Sequence, residues 1–221
     1  YILGSTKTIP QSTEDTLAGY DVKRLAGDTR YDTNIEILKE AGVTDQEILV
    51  CSGEIFADSL SASAVGKPIL LVNTKKDSLT AAQKEYLSTI STDTFYIIGS
   101  TKTISENLAA DVNKYGSIER VWGDTRYETS IAVAERFFTN PDTVIFAGGT
   151  QYPDGLCGGA LATIIHAPII LSNTGTSTIE VAKSYIQSND VYSGIVLGAD
   201  MHIDDVTAKY IFDVENIKIW E

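Results

Sequence analysis

The sequence predicts an α/β fold of tandem modules, each a mostly parallel sheet with helices on both faces. Three observations predict it. First, the stretch Arg24-Leu25-Ala26-Gly27-Asp28-Thr29-Arg30-Tyr31-Asp32-Thr33 returns 96 residues later as Arg120-Val121-Trp122-Gly123-Asp124-Thr125-Arg126-Tyr127-Glu128-Thr129, with seven of ten positions identical. A fixed period of this size marks a repeated structural unit. Second, short apolar runs alternate with helix-like stretches, the order that gives crossover connections and parallel strands. Third, Pro68-Ile69-Leu70-Leu71-Val72 is apolar without alternation, as a strand covered on both faces is.

In the first full copy, Asp28 or Thr29 caps a helix that places Ile35, Leu38 and Ala41 on one face and closes at Gly42. A strand is expected over residues 47–51, then a Ser52-Gly53 turn and a helix of small residues from Phe56. The strand at 68–72 follows, then a helix over 78–90, a strand over 95–99, a helix over 105–115 ended by Gly116, and a short strand over 118–121. The second copy repeats this order through strands at 143–147, 168–173 and 194–198. Ser177-Thr178-Ile179-Glu180 reads there as a capping box opening a helix. Residues 217–220 read as the last strand. The opening segment is a third, partial copy, since Tyr1 to Ile9 matches Tyr96 to Ile104 at eight of nine positions.

The expected organisation is therefore 1–23 as the tail of an incomplete module, 24–119 as one complete module and 120–221 as another. The chain begins inside a module, as a fragment or cleaved product would. Its first segment is expected to pack against the remainder of that module, supplied by the same natural chain or a second polypeptide, because an unpaired apolar strand is an aggregation edge.

With 17 basic and 30 acidic residues, the net formal charge is −13. A phosphate backbone is bound through basic patches, and no Lys/Arg run exceeds two residues, so nucleic acid is not an expected partner. No run of eighteen apolar residues exists, so no membrane span is expected. Cys51 and Cys157, the only cysteines, occupy different places in the repeat and are expected to be small buried residues.

Repetition serves as a test of chemistry: a shared job should recur. The two histidines, His166 and His202, face Gly66 and Thr103 in the first copy. His166, in an apolar run, is expected in the core or at its edge, and His202 exposed beside a helix start; neither offers metal-ligand spacing. The recurring acids Asp28/Asp124 and Asp58/Asp154 precede helices and read as caps. The glycine-rich turn at Gly148, Gly149, Gly155, Gly158 and Gly159 fits neither G-x-G-x-x-G nor a P-loop, and reads as close helix–strand packing. No catalytic residue, cofactor or metal site is expected. Also recurrent are Lys7/Lys102, Arg24/Arg120, Arg30/Arg126 and Tyr31/Tyr127. An Arg-Tyr pair opening a helix can brace the modules through forked Arg–carboxylate bonds, with an Asp28- or Asp124-type acid as partner, or present a cation and a flat ring to a ligand.

These marks resemble the cell wall binding repeat of type 2, found in clostridial S-layer and cell-wall proteins. The marks are R-x-x-G-x-x-R-Y-x-T at Arg24–Thr33 and Arg120–Thr129, F-A-D-x-L-S-A at Phe56–Ala62, the P-I-L-L strand, and an I-x-G strand before a helix. The resemblance covers the whole chain. It implies Rossmann-like modules packed about a pseudo-threefold axis, and secreted, non-catalytic anchors that hold surface proteins to an anionic polysaccharide of a Gram-positive wall. It also implies a binding role for Ile69, Leu70 and Leu71, with Ile169, Ile170 and Leu171 as their second-copy counterparts. The second copy departs further at Tyr152-Pro153-Asp154-Gly155, which replaces Phe56-Ala57-Asp58-Ser59. Two other readings stand beside the anchor: a nucleotide-binding enzyme, motivated by the glycine-rich turn, and a self-associating lattice protein.

Overall fold

The computed structural model describes residues 1–198 and 203–213. The expected final strand at 217–220, and His202, lie outside them.

In chain order the elements are β1 (Ile2–Leu3), α1 (Gln11–Asp15), β2 (Arg24–Leu25), α2 (Arg30–Glu40), β3 (Ile48–Ser52), α3 (Phe56–Ala62), a 3-10 turn (Ser63–Val65), β4 (Ile69–Val72), α4 (Ala81–Leu87), β5 (Thr94–Ile98), α5 (Glu106–Val112), β6 (Ser117–Val121), α6 (Arg126–Phe137), β7 (Thr143–Gly148), α7 (Pro153–Leu156), α8 (Gly158–Ile165), β8 (Ile169–Ser172), α9 (Thr176–Ser188), β9 (Ser193–Leu197) and α10 (Asp205–Phe212). No described helix is long and apolar enough to cross a membrane.

The α/β class and the parallel pairing follow the sequence. Strand β1 pairs with β2, β3 lies between β4 and β5 with β6 beyond, and β7 lies between β8 and β9. The registered pairs β1–β2, β3–β4, β3–β5, β7–β8 and β7–β9 are all parallel. Strand β1 is thus bonded along one edge, with Ile2 opposite Arg24 and Leu3 opposite Leu25.

The chain divides into two compact units that do not follow the repeat borders. The first holds residues 1–54, 68–97 and 104–119; the second holds 55–67, 98–103 and 120–221. Helix α3 and the 3-10 turn, first-copy residues by sequence, therefore belong with the second unit. In the first unit Ile48 and Val50, Leu70 and Val72, and Phe95 and Ile97 pack against Ile35 and Leu38 of α2, Tyr86 and Leu87 of α4, and Leu108 and Val112 of α5. In the second unit both faces of the β8-β7-β9 sheet are covered. Val144, Phe146 and Ile170 pack with Ala182, Tyr185 and Ile186 of α9 and Ile211 of α10. Ile145, Ala147, Ile169 and Leu171 pack with Ala57 and Leu60 of α3 and Ala162 of α8.

Three local expectations are corrected. Ala41 is the exposed C-cap of α2, not part of its buried face, because the helix ends there and Gly42 turns away at a φ of +67°. The helices expected over 78–90 and 105–115 are shorter: they run over Ala81–Leu87 and Glu106–Val112, with Thr80 and Ser105 as their N-caps. Ser177 opens no capping box. The side chain of Asn173 accepts the Gly175 N–H at 2.7 Å, which closes the turn early, and α9 starts at Thr176 with Gly175 as N-cap.

Candidate functional site

The repeated stretch leads from the end of a strand into a helix, and the structure gives nearly every recurring residue a bond. Arg24 donates to the Gly4 carbonyl at 2.7 Å and ion-pairs with Glu14 at 2.8 Å; Arg120 donates to the Gly99 carbonyl at 2.9 Å. Gly27 and Gly123 lie so close to the following helix that an added Cβ would stand 2.3 Å from the Cβ of Asp32 or Glu128. Their N–H groups donate to Thr33 and Thr129 Oγ1 at 3.0 and 3.1 Å. Thr29 and Thr125 are the N-caps, each in a capping box with Asp32 or Glu128.

The caps are thus threonines, and Asp28 and Asp124 are not caps. Both acids lie one residue before the cap and are exposed. Asp58 and Asp154 also do not cap: Ile55 and Tyr152 hold those positions, and the acids sit in the first turns of α3 and α7.

The Arg-Tyr pair is anchored to backbone carbonyls and ring contacts, and neither Asp28 nor Asp124 bonds either arginine. Arg30 donates to the Gly53 carbonyl at 2.5 Å and Arg126 to the Gly149 carbonyl at 2.6 Å. The Asp28- or Asp124-type partner expected for them is replaced because the open carbonyl at the end of β3 or β7 lies within reach of the guanidinium. Tyr31 and Tyr127 lay their rings on the same glycines, where a Cβ would meet Cε1 at 2.5 Å in each case. Both rings are turned inward, Tyr31 being buried and Tyr127 half-buried. The Tyr31 hydroxyl donates to Glu54, whose carboxylate also pairs with Lys75 at 2.6 Å. Burial first, and then the bond to Glu54, push the Tyr31 phenol up to about 12. In the second unit Asn173 replaces that acid and donates to the Tyr127 hydroxyl at 2.6 Å. Since Asn173 holds the ring, Gly149→Ala has nowhere to push it. The variant is expected to lose about 1–3 kcal/mol of stability, read as a shifted denaturant midpoint.

The second unit adds a cluster around Arg126. Its guanidinium lies 5.7 Å from the centre of the Phe56 ring, and Phe56 in turn meets Tyr152 at 5.6 Å. Asp58 is buried beside Gly99, and its own burial raises its carboxyl to about 6 against the opposing field of Arg126. The glycines of the expected close-packing turn do pack closely: a Cβ on Gly155 would reach Leu60 at 2.7 Å, one on Gly158 would reach Leu197 at 2.6 Å, and one on Gly159 would reach Ser63 at 2.3 Å.

The apolar strand residues divide. Leu70, Ile169, Ile170 and Leu171 are buried, between 0% and 1% exposed, and pack in the cores of their sheets. Ile69 and Leu71 are half-buried. The backbone of this edge strand is satisfied by neighbours: Asn34 donates to Ile69 O and accepts from Leu71 N, both at 2.9 Å, and Gln83 donates to Leu71 O at 2.7 Å. Ser130 takes the place of Asn34 in the second unit, accepting from Leu171 N at 3.0 Å.

Two single-copy expectations are also corrected. Cys51 is buried, but Cys157 is exposed, because it lies on the outer side of the α7–α8 junction. His166 is exposed, not in the core. It ends α8 in the left-handed conformation at φ +53°, the same role that Gly66 has after the 3-10 turn at φ +72°. Among the described residues no group of three His, Cys, Asp or Glu side chains is placed to hold a metal ion.

The comparisons with known proteins agree with the repeat. The model of the Cell wall binding domain 2 (CWB2) family matches residues 24–109 and 120–207. The amidase enhancer of Bacillus subtilis is 31% identical over 209 residues, covering 91% of this chain and 28% of that protein. The N-acetylmuramoyl-L-alanine amidase LytC of Bacillus subtilis is 28% identical over 203 residues, covering 89% of this chain and 40% of that protein. The chain thus spans well under half the length of either relative. Among solved structures, Cwp8 from Clostridium difficile superposes with a TM-score of 0.81 at 23% identity, covering 96% of this chain and 37% of that one. Cwp6 from Clostridium difficile gives 0.75 at 23% identity, covering 87% and 31%.

Proposed function

The chain belongs to the Cell wall binding domain 2 family, and from that premise we propose that it is a non-catalytic anchor that holds a secreted surface protein of the S-layer type on a Gram-positive wall by binding an anionic wall polysaccharide. Association with the cell wall follows from the family; the polymer and the anchoring role are the proposal. The observation that carries it is the match of the family over both repeats, read together with the recurring charges that the fold leaves at the surface.

Those charges gather where strands end. Lys7 follows β1 and Asp28 follows β2, two paired parallel strands; Lys102 follows β5 and Asp124 follows β6, again neighbours in a sheet. All four are exposed. Arg30 and Arg126 start the helices next along. Loops at the carboxyl ends of parallel strands are where ligands bind in open α/β sheets. A protein of net charge −13 repels a polyanion at long range. Repeated local cations give the polymer a foothold that the mean charge would deny it. Ile69, Leu70 and Leu71, with Ile169, Ile170 and Leu171, serve binding in this reading by fixing the strands that carry the loops, and Tyr31 and Tyr127 by setting the helix starts.

The test separates the two classes of cation. Lys7→Ala with Lys102→Ala is expected to leave the melting temperature unchanged and to lower retention on purified wall several-fold, with soluble extracted anionic polymer releasing the wild-type protein. Arg126→Lys is expected to lower both, because lysine loses the guanidinium fork: about 1 kcal/mol for the bond to Gly149, measured by thermal melting. Undiminished retention in the lysine variant, or no release by soluble polymer, would sink the proposal.

A further inference from the structure

Among the described residues two acids are buried, Asp58 and Asp111, each 5% exposed. Their bonding differs completely. Asp111 accepts the Leu79 N–H at 2.9 Å and pairs with Lys84 at 3.0 Å and Lys114 at 2.8 Å. Against its burial, the bonds from Lys114, Leu79 and Lys84 hold its carboxyl down at about 2. Asp58 has no such partners. No described residue donates to its carboxylate, and Arg126 acts on it through its field alone. A buried carboxylate without donors is costly, so the fold itself gives Asp58 no reason to be there. Its oxygens are nevertheless within reach of a ligand. Tyr185 Oη is the one side-chain oxygen or nitrogen among the described residues that is both sealed from solvent and unbonded. The Asp58 oxygens are unbonded, so they open at the surface.

The second unit surrounds that opening with groups of three kinds. On one side is the turn after β5. Asp58 Oδ2 stands 2.6 Å from where a Cβ on Gly99 would be, and Thr103 Cβ stands 3.3 Å from the same point. The exposed Lys102 belongs to this turn. On the other side is Arg126, tied to the Gly149 carbonyl after β7 and laid over the Phe56 ring. Beyond Phe56 is Tyr152, 53% exposed. In the second copy Asp154 meets Gly198 in the same way, with Oδ2 at 2.5 Å from the Cβ position, but it is exposed.

A carboxylate with both oxygens free accepts two hydroxyl protons in charge-assisted bonds. An open aromatic ring covers the C–H face of a sugar. An ionised acid repels a polyanion, so the group that Asp58 receives is a neutral one. We propose that Asp58 accepts two adjacent hydroxyls of a sugar residue in the wall polysaccharide, with the Tyr152 ring against the C–H face of that residue and Lys102 beside the polymer's anionic group. This rests on the wall-binding reading above and deepens it: the cations of the strand-end loops hold the charge of the polymer, and Asp58 reads its sugar.

The probe is the extracted anionic polymer, native or oxidised with periodate and then reduced, titrated by calorimetry into the intact chain. Periodate breaks the bond between carbons that carry adjacent hydroxyls. Asp58→Asn is expected to bind the native polymer about fivefold more weakly or worse, because the amide accepts with one oxygen and without charge, although this variant melts higher than the wild type. Tyr152→Ala is expected to bind more weakly at a little-changed melting temperature. Oxidation of the polymer should bring the wild type down to the affinity of Asp58→Asn and leave that variant's affinity where it was. Charge repulsion alone predicts the opposite sign, since removing an acid should tighten the grip on a polyanion. Equal or tighter binding by Asp58→Asn, or a wild type indifferent to periodate, would overturn the proposal and leave the anchor intact. A wild type that fails to bind the native polymer would overturn both.

Discussion

Asp58→Asn is expected to make the protein more stable at neutral pH, by up to about 3 kcal/mol. Burial raises the Asp58 carboxyl from 3.8 to about 6. Below 3.8 the acid is protonated in both folded and unfolded chains, and its titration costs nothing. As pH rises from 3.8 to 6 the unfolded chain ionises freely while the folded chain holds its proton, so stability falls. Above 6 both are ionised and the loss is constant, at about 1.36 kcal/mol for each of roughly two pKa units. The wild type should therefore lose stability between pH 4 and 6.5 through this group, and the Asn variant should lack that component. Urea denaturation at several pH values reads the difference directly. Parallel curves for the two proteins across that range would show that Asp58 is not the buried acid described here. A buried acid kept at this cost at Asp58 fits a chain selected for something besides stability; its counterpart Asp154 is exposed.

Ile170→Ala is expected to have the other large effect. The side chain is fully buried in the cluster formed with α9 and α10. Truncating it should cost about 2–5 kcal/mol through lost transfer energy and the cavity left behind. For a unit of this size that lowers the melting temperature by roughly 5–15 °C. Wall retention well below the new melting temperature should stay at the wild-type level. Leu71→Ala, half-buried on an edge strand, should cost less. Lost retention in a fully folded Ile170→Ala would instead mean that the strand side chains reach the polymer directly.

The repeat made the α/β class, the parallel pairing and most element positions legible before any coordinates. Its bonding was less legible, for physical reasons. Arg30 and Arg126 were matched with acids because sequence shows charges, whereas their actual acceptors are the carbonyls of Gly53 and Gly149, and a carbonyl carries no residue identity. One signal was available: Gly53 and Gly149 keep the 96-residue spacing of Tyr31 and Tyr127, and a ring that recurs with a glycine suggests a close approach. Of the two caps expected for α2, Asp28 or Thr29, the structure takes Thr29; the spacing Thr29-x-x-Asp32, repeated as Thr125-x-x-Glu128, is that of a capping box and favours the threonine. Residue type misled for Cys157 and His166, whose exposure depends on the outer side of α8. The assignment of α3 to the second unit could not be read at all, because repeats mark sequence periods and not packing borders.

The most direct measurement is co-sedimentation of the intact chain with purified wall before and after extraction of its anionic polysaccharide. The expected result is saturable pelleting with native wall, loss of most of it after extraction, and recovery when the extracted polymer is added back to the stripped wall. Equal pelleting with native and extracted wall would contradict the anchor on an anionic polymer.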